Sequence, residues 1–188
     1  MDSSSSDASL LLRAARFAAT HHRDQRRKGL SARPYVNHCI EVAELLATVG
    51  GVTDPVLLAG ALLHDTIEDT EATADEVLMH FGAEVQALVL EVTDDKSLSK
   101  SDRKRLQVER GPHKSLRAQQ LKLADKISNL RDLVEDSPDW TPERCAEYVQ
   151  WARAVVASMR GANPALSALF DEVAARAEAQ WGPPAPSA

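Results

Sequence analysis

A chain of 188 residues with 44% hydrophobic content can bury the core of a single domain without disulfides or a structural metal. Its net charge of −6, from 22 basic and 28 acidic residues, provides no bulk attraction to nucleic acid or an anionic membrane, so a polyanionic ligand must meet a local basic cluster. Aromatic content is only 4%, and an apolar mass made mostly of Leu and Ala favours packed helices over sheets. Cys39 and Cys145 lack paired spacing, the start does not read as a leader, and no apolar run reaches bilayer length. A reduced, cytoplasmic protein with no membrane partner is therefore expected.

In chain order, residues 1–8 read as a disordered Ser-rich tail and residues 9–181 as the folded domain. The first helix is expected from about Ser9 to Arg26, with Leu10, Leu11, Ala14, Phe17 and Ala18 forming its apolar stripe. It leads into the basic cluster Arg23, Arg26, Arg27 and Lys28. Asn37-His38 opens a second helix with Ile40, Val42, Ala43, Leu45 and Leu46 inward, stopped by Gly50-Gly51. Thr53-Asp54-Pro55 combines a capping acid with Pro at the first helical position. The helix it starts, Val56 to Leu63, is apolar all round and should be buried.

Thr73-Ala74-Asp75-Glu76 fits a capping box for a short helix ending near Phe81-Gly82, and Val85, Leu88, Val89 and Val92 mark the next. Lys96 to Arg110 is dense in charge and reads as an exposed loop and helix. Ser115 to Val134 places Leu116, Leu121, Leu123, Ala124, Ile127, Leu130 and Leu133 near a 3.6-residue period, with Asp125 in its apolar middle. Thr141-Pro142 and Asn163-Pro164 start two final helices, and residues 182–188 form a Pro-rich tail. No long stretch alternates at period two. An all-α bundle of roughly eight to ten helices is expected.

The chemistry concentrates in His64-Asp65-Thr66-Ile67-Glu68-Asp69, directly behind the apolar helix. Burying an imidazole and three carboxylates there costs several kcal/mol unless something pairs with them, and the helix C-terminus already disfavours negative charge. A cation meets both problems. His64 and Asp65, about 100° apart on a helix, suit neighbouring positions around one ion. His38 and Asp125 add a second imidazole and a second carboxylate. Such mixed nitrogen and oxygen ligands suit manganese, iron or zinc. The spacing also leaves open a helix-surface His64–Asp65 pair, and for Asp125 a buried partnership with Lys126 or Arg131. Glu68 and Asp69 lie one turn beyond His64 and Asp65, where a general acid/base would orient a water; without a metal they read as a solvated acidic helix end.

These residues fit the H…HD…D signature, and the chain resembles the HD-domain metal-dependent phosphohydrolases, an all-helical superfamily. Longer stretches narrow the resemblance: Arg26-Arg27-Lys28, Tyr35-Val36-Asn37-His38, Ala61 through Thr70, Val92-Thr93-Asp94-Asp95-Lys96, Lys104-Arg105-Leu106-Gln107 and Lys122-Leu123-Ala124-Asp125-Lys126 through Leu133. They are similar to the alarmone hydrolases, and most to the stand-alone small enzymes of the metazoan SpoT homologue type. The resemblance implies removal of the 3′-pyrophosphate from guanosine tetra- and pentaphosphate (ppGpp and pppGpp), with one manganese ion per site. It assigns His38, His64, Asp65 and Asp125 to the metal, Glu68 and Asp69 to the attacking water, and Arg27, Lys28, Lys100, Asn129, Arg144 and Tyr148 to the substrate.

From the residues alone, the basic cluster also fits a solvated helix end, Lys100 a surface charge and Tyr148 a core position. Two departures stand out: Cys39 follows His38 where relatives often have Pro, and Ser128 stands where they often have an aromatic residue. Cys39 is expected to pack as a small apolar side chain. The absence of a synthetase segment implies a hydrolase acting alone. Another nucleotide substrate, a nucleoside monophosphate or NADPH, is the alternative within the superfamily, and a catalytically silent nucleotide-binding protein the alternative outside it.

Overall fold

The most apolar segment of the chain becomes helix α3, Pro55–Leu63, which packs against four other helices. In this computed structural model, residues 3–182 are described, with side chains from Ser6 onward. Asp54 caps α3 by accepting from the Val56 N–H at 3.0 Å, and Pro55 occupies its first turn, as the cap signal requires. Leu57, Ala59, Gly60, Ala61, Leu62 and Leu63 are all buried.

Helix α1 runs Ser3–His21 and α2 runs Val36–Thr48. The start of α1 lies ahead of the expected Ser9, so residues 3–8 are helical, and its end falls short of Arg26. The backbone turns after His22, and the basic residues enter a loop held by the Arg27 N–H on Arg33 O and by an isolated bridge between Arg26 and Pro34. In α2 the inward positions are His38, Cys39, Val42, Leu45 and Leu46. Ile40 is 46% exposed, because the inward face at i, i+1, i+4, i+7 and i+8 turns that position to solvent. Gly51, at φ 64°, ends this segment in a conformation suited to glycine.

Helix α3 stops at Leu63, His64-Asp65 forms a turn, and a single turn of helix, α4, follows at Thr66–Asp69. Helix α5, Ala74–Phe81, has the full Thr73–Glu76 capping box, and α6 covers Ala83–Val92. Helix α7, Lys100–Arg110, contains no buried residue, while α8, Leu116–Glu135, is the main axis of the core. Leu116 is 60% exposed at its first turn, outside the apolar stripe to which it was expected to belong. Helices α9, Pro142–Ala157, and α10, Pro164–Trp181, start on the Thr141 and Asn163 caps.

These ten α-helices and two short 3-10 turns account for the regular structure among the described residues, where the only bridges are isolated ones. The larger core surrounds α8 with residues of α2, α3, α6, α9 and α10; a smaller one lies between α1, α3, α5 and α6. No helix among the described residues is long and apolar enough to cross a membrane. Cys39 and Cys145 are buried and free, and Cys39, fully enclosed, packs as the apolar side chain expected. The Pro-rich tail lies outside the described residues beyond Gly182.

Candidate active site

The ends of α2 and α3 meet the middle of α8, and this junction brings His38, His64, Asp65 and Asp125 together. His64 Nε2 lies 3.0 Å from Asp65 Oδ2 and 3.9 Å from Asp125 Oδ1; His38 Nε2 lies 3.7 and 3.3 Å from the same two oxygens. The ligand atoms of His38, His64 and Asp65 all fall within 4.8 Å of one another. The expected divergence of His64 and Asp65 around a continuous helix is replaced by convergence. The turn after Leu63 folds Asp65 back beside the His64 ring, and Thr66 Oγ1 secures it by donating to Leu63 O at 2.6 Å.

Proton placement tests whether a cation fits here. The His64 Nδ1–H donates to Ala61 O at 2.8 Å, since a carbonyl can only accept, and in the neutral ring this leaves Nε2 bare. That nitrogen is buried and without a hydrogen bond, even with Asp65 Oδ2 so close. A bare buried imidazole nitrogen facing two carboxylates is costly in isolation and is the donor set of a divalent cation. The donor atoms of His38, His64 and Asp65 fit such an ion, and Asp125, outside that group of three, has its Oδ1 3.3 Å from His38 Nε2 and 3.9 Å from His64 Nε2.

Burial opposes charge throughout the cluster, and the neighbours decide each outcome. Burial lowers the His38 pKa below that of an ordinary imidazole. For His64 burial pulls the same way, but Asp65, Asp125 and the Ala61 carbonyl together outweigh it and raise the pKa. Burial would raise both carboxyls, yet Asp65 is held far below the usual range by His64 and His38, and Asp125 by Lys126 and His38. Asp125 does make the Lys126 pair that spacing left open: Lys126 Nζ donates to Oδ2 at 2.9 Å, leaving Oδ1 towards the histidines. Lys126 is only 4% exposed and sits over the Trp151 ring at 4.6 Å.

Glu68 and Asp69 follow this cluster in the chain, on α4. Glu68 Oε2 accepts the Asp94 N–H at 2.8 Å, and its Oε1 lies 3.9 Å from Arg103 Nη1. Burial raises its pKa above that of a free carboxyl; the Asp94 N–H opposes this, and the charges of Asp65 and Asp94 add to it. Asp69 pairs through Oδ1 with Lys96 and through Oδ2 meets the Tyr35 hydroxyl at 3.4 Å.

The proposed substrate residues line two adjoining hollows. Arg27, Lys28, Asn129 and Tyr148 border one of about 350 Å³, which Tyr35 and Trp140 also line. Lys28, Lys100, Arg144 and Tyr148 border a second of about 540 Å³, which also reaches Glu68, Asp69, Lys96 and Arg103. Arg27 is already engaged: its Nε donates to Asp132 Oδ2 and its Nη2 to Asn129 Oδ1, both at 2.7 Å. Asn129 in turn donates to Asp125 Oδ1 at 2.6 Å. Tyr148 is half-buried between Trp140 and Trp151, with ring centroids 5.8 and 5.4 Å away, and forms a wall of both hollows.

Several residues of the site carried no role in the sequence. Tyr35 donates to Asp65 Oδ2 at 2.6 Å; Lys96 pairs with Asp69; Gln107 donates to Asp94 Oδ2 at 2.6 Å and so braces the turn that holds Glu68. Tyr35, Asp94, Lys96 and Gln107 all lie in motifs that carried the resemblance, which was the available signal. Trp140 lies in no such motif.

A protein-family model described as HD domain matches residues 14–161, a span containing every residue of the site. The chain is 51% identical to the guanosine-3′,5′-bis(diphosphate) 3′-pyrophosphohydrolase MESH1 of Xenopus tropicalis, over 90% of this chain and 95% of that one. It is 55% identical to the Homo sapiens protein of the same name, over 84% of this chain and 89% of that one. Among solved structures it superposes on one described as "A metazoan ortholog of SpoT hydrolyzes ppGpp and plays a role in starvation responses", with a TM-score of 0.85 and 47% identity over 87% of this chain and 93% of that one. The chain belongs to the HD-domain family and, within it, to the group of these MESH1 proteins.

Proposed function

We infer that this chain hydrolyses the 3′-pyrophosphate of guanosine 3′,5′-bis(diphosphate), giving GDP and pyrophosphate, and of the pentaphosphate, giving GTP. The observation that carries this reading is the buried, unpartnered Nε2 of His64 facing Asp65 and Asp125, followed in the chain by Glu68 and Asp69, which line a hollow walled by Lys28, Lys100 and Arg144. Identity of about half the residues with enzymes named for this reaction supports the substrate.

In this reading His38, His64, Asp65 and Asp125 hold one Mn2+ ion. Such an ion supplies Lewis acidity, lowering the pKa of water and offsetting phosphoryl charge. Glu68 has one carboxylate oxygen held by the Asp94 N–H, which leaves Oε1 to take the proton of the attacking water. Asp69, held between Lys96 and Tyr35, orients that water. The water oxygen ends on the phosphorus of the departing pyrophosphate, and the ribose 3′-oxygen leaves with a proton.

Lys28, Lys100 and Arg144 offset the charge of the polyphosphate, Arg144 with a guanidinium suited to two phosphate oxygens. Tyr148 offers an aromatic face to the nucleoside. Arg27 and Asn129 act at the edge of the nucleotide, braced by Asp132 and Asp125. Free thiols at Cys39 and Cys145 support a cytoplasmic setting.

Purified protein supplied with Mn2+ and the tetraphosphate should release pyrophosphate and GDP in equal amounts. No pyrophosphate release would sink the assignment. A higher kcat/KM for a nucleoside monophosphate or NADPH would move the reading to another nucleotide.

A further inference from the structure

His38 solves the same problem as His64 by a different device. The His64 proton is fixed on Nδ1 by a backbone carbonyl, whereas His38 meets a side chain: its Nδ1 lies 2.9 Å from Ser128 Oγ. A hydroxyl can donate or accept, so this contact alone does not set the tautomer. The next link does. Ser128 Oγ donates to Glu41 Oε2 at 2.7 Å, and Arg131 Nη1 donates to Glu41 Oε1 at 3.1 Å.

Ser128 has one hydroxyl hydrogen, and an ionised carboxylate can only accept. If that hydrogen were turned to His38, the Ser128 and Glu41 oxygens would face each other at 2.7 Å with no proton between them. The hydrogen therefore goes to Glu41, and Ser128 accepts from the His38 Nδ1–H. His38 and Ser128 are 3% and 0% exposed, so bulk solvent does not compete for the contact.

The arrangement is a small ladder between two helices. His38 and Glu41 lie three residues apart on α2; Ser128 and Arg131 lie three apart on α8, on the helix that also carries Asp125.

We propose that Ser128 and Glu41 are positioning residues which, with Arg131 bracing Glu41, lock His38 in its Nδ1-protonated form and aim a bare Nε2 at Asp65 and Asp125. The proposal rests on the functional reading above, in which His38 is a ligand, and concerns a position where the chain departs from the usual aromatic residue. A partner on the far nitrogen of a ligating imidazole sets its orientation and basicity, and its loss typically weakens metal affinity by about 10–100-fold. Ser128→Ala removes the acceptor and leaves the ring without a partner for Nδ1. Ser128→Thr keeps the hydroxyl. Glu41→Gln offers an amide donor in place of an acceptor, which frees the Ser128 hydrogen to turn towards His38.

Two measurements decide it. Long-range 15N–1H NMR of histidine rings in the chelator-treated wild-type protein should show His38 protonated on Nδ1. Titration calorimetry with Mn2+ alone should show Ser128→Ala weakened by about tenfold or more and Ser128→Thr within about threefold of wild type. An Nε2-protonated His38 in the wild-type spectrum, or a folded Ser128→Ala variant that binds Mn2+ as tightly as wild type, would overturn the proposal. If the wild-type chain bound no Mn2+ at all, the functional reading would fail, while the NMR tautomer would still decide the ladder.

Discussion

The Tyr35 hydroxyl donates to Asp65 Oδ2 at 2.6 Å and reaches Asp69 Oδ2 at 3.4 Å, so one phenol joins a candidate ligand to an acid of the water site. Its ring is stacked with the His22 ring at 4.9 Å and lies under the Arg27 guanidinium at 5.3 Å. Burial and the Asp65 charge both raise its pKa, so it stays a neutral donor. Tyr35→Phe should keep the ring and lose the bond. We expect kcat to fall by about 10–100-fold, while stability falls by only about 1 kcal/mol. An unchanged kcat at saturating substrate would show that Tyr35 does not position Asp65 and Asp69.

Asp125 and Glu68 should separate metal binding from turnover. Asp125→Ala removes a carboxylate that faces both histidines and is expected to abolish tight Mn2+ binding. Glu68→Ala should keep the ion and lose turnover, because the hydrogen bond and ion pairs of Glu68 are with Asp94, Arg103 and Lys96. Thermal shifts read the difference: Mn2+ at about a hundred times its Kd stabilises a binding-competent fold by about 2.7 kcal/mol. Glu68→Ala should retain that gain and Asp125→Ala should lose it. Equal loss in both would contradict the division of roles.

Metal affinity should fall with pH in an order set by the two histidines. Each must be neutral at Nε2 to ligate, so protons compete with the ion. Asp65 raises the His64 pKa above the ordinary value of about 6.5, whereas burial lowers that of His38. Competition therefore begins at His64, already above pH ~6.5, and costs about tenfold in affinity per pH unit below its pKa. His38 steepens the loss only at lower pH. Calorimetric affinities that stay flat from about pH 8 to 5.5 would refute this.

Gly60 sets how closely α3, which carries His64 at its end, approaches α6. A Cβ at this position would lie 2.6 Å from Leu88 Cδ2, and Leu88 is itself buried. Gly60→Val should overpack this contact by about 3 kcal/mol and lower Tm by about 6–12 °C at 2–4 °C per kcal/mol. A Tm within about 2 °C of wild type would mean the two helices part freely.

The helices were legible because their signals are local. The caps at Asp54, Thr73, Thr141 and Asn163 each act within one turn, and the apolar period of α8 names its buried face without reference to any partner. The misread ends have local causes too. Ser3 to Ala8 carry no apolar stripe to announce a helix, and Ile40 and Leu116 are apolar residues outside the inward faces of their helices. The candidate ligands stood out because His38, His64, Asp65 and Asp125 have few stable uses in apolar surroundings.

By itself, then, the sequence determined an all-α domain, the starts of its capped helices, and four candidate ligands beside two acids. Only the tertiary structure decided how those groups meet: the turn that folds Asp65 onto His64, the Arg27–Asn129–Asp125 chain, the Tyr35 bridge and the Ser128–Glu41 hold on His38. The reason is range. Periodicity and capping record the burial and termini of a single helix, whereas a hydrogen bond between α2 and α8 joins residues 90 apart in the chain and depends on where packing brings the two helices together.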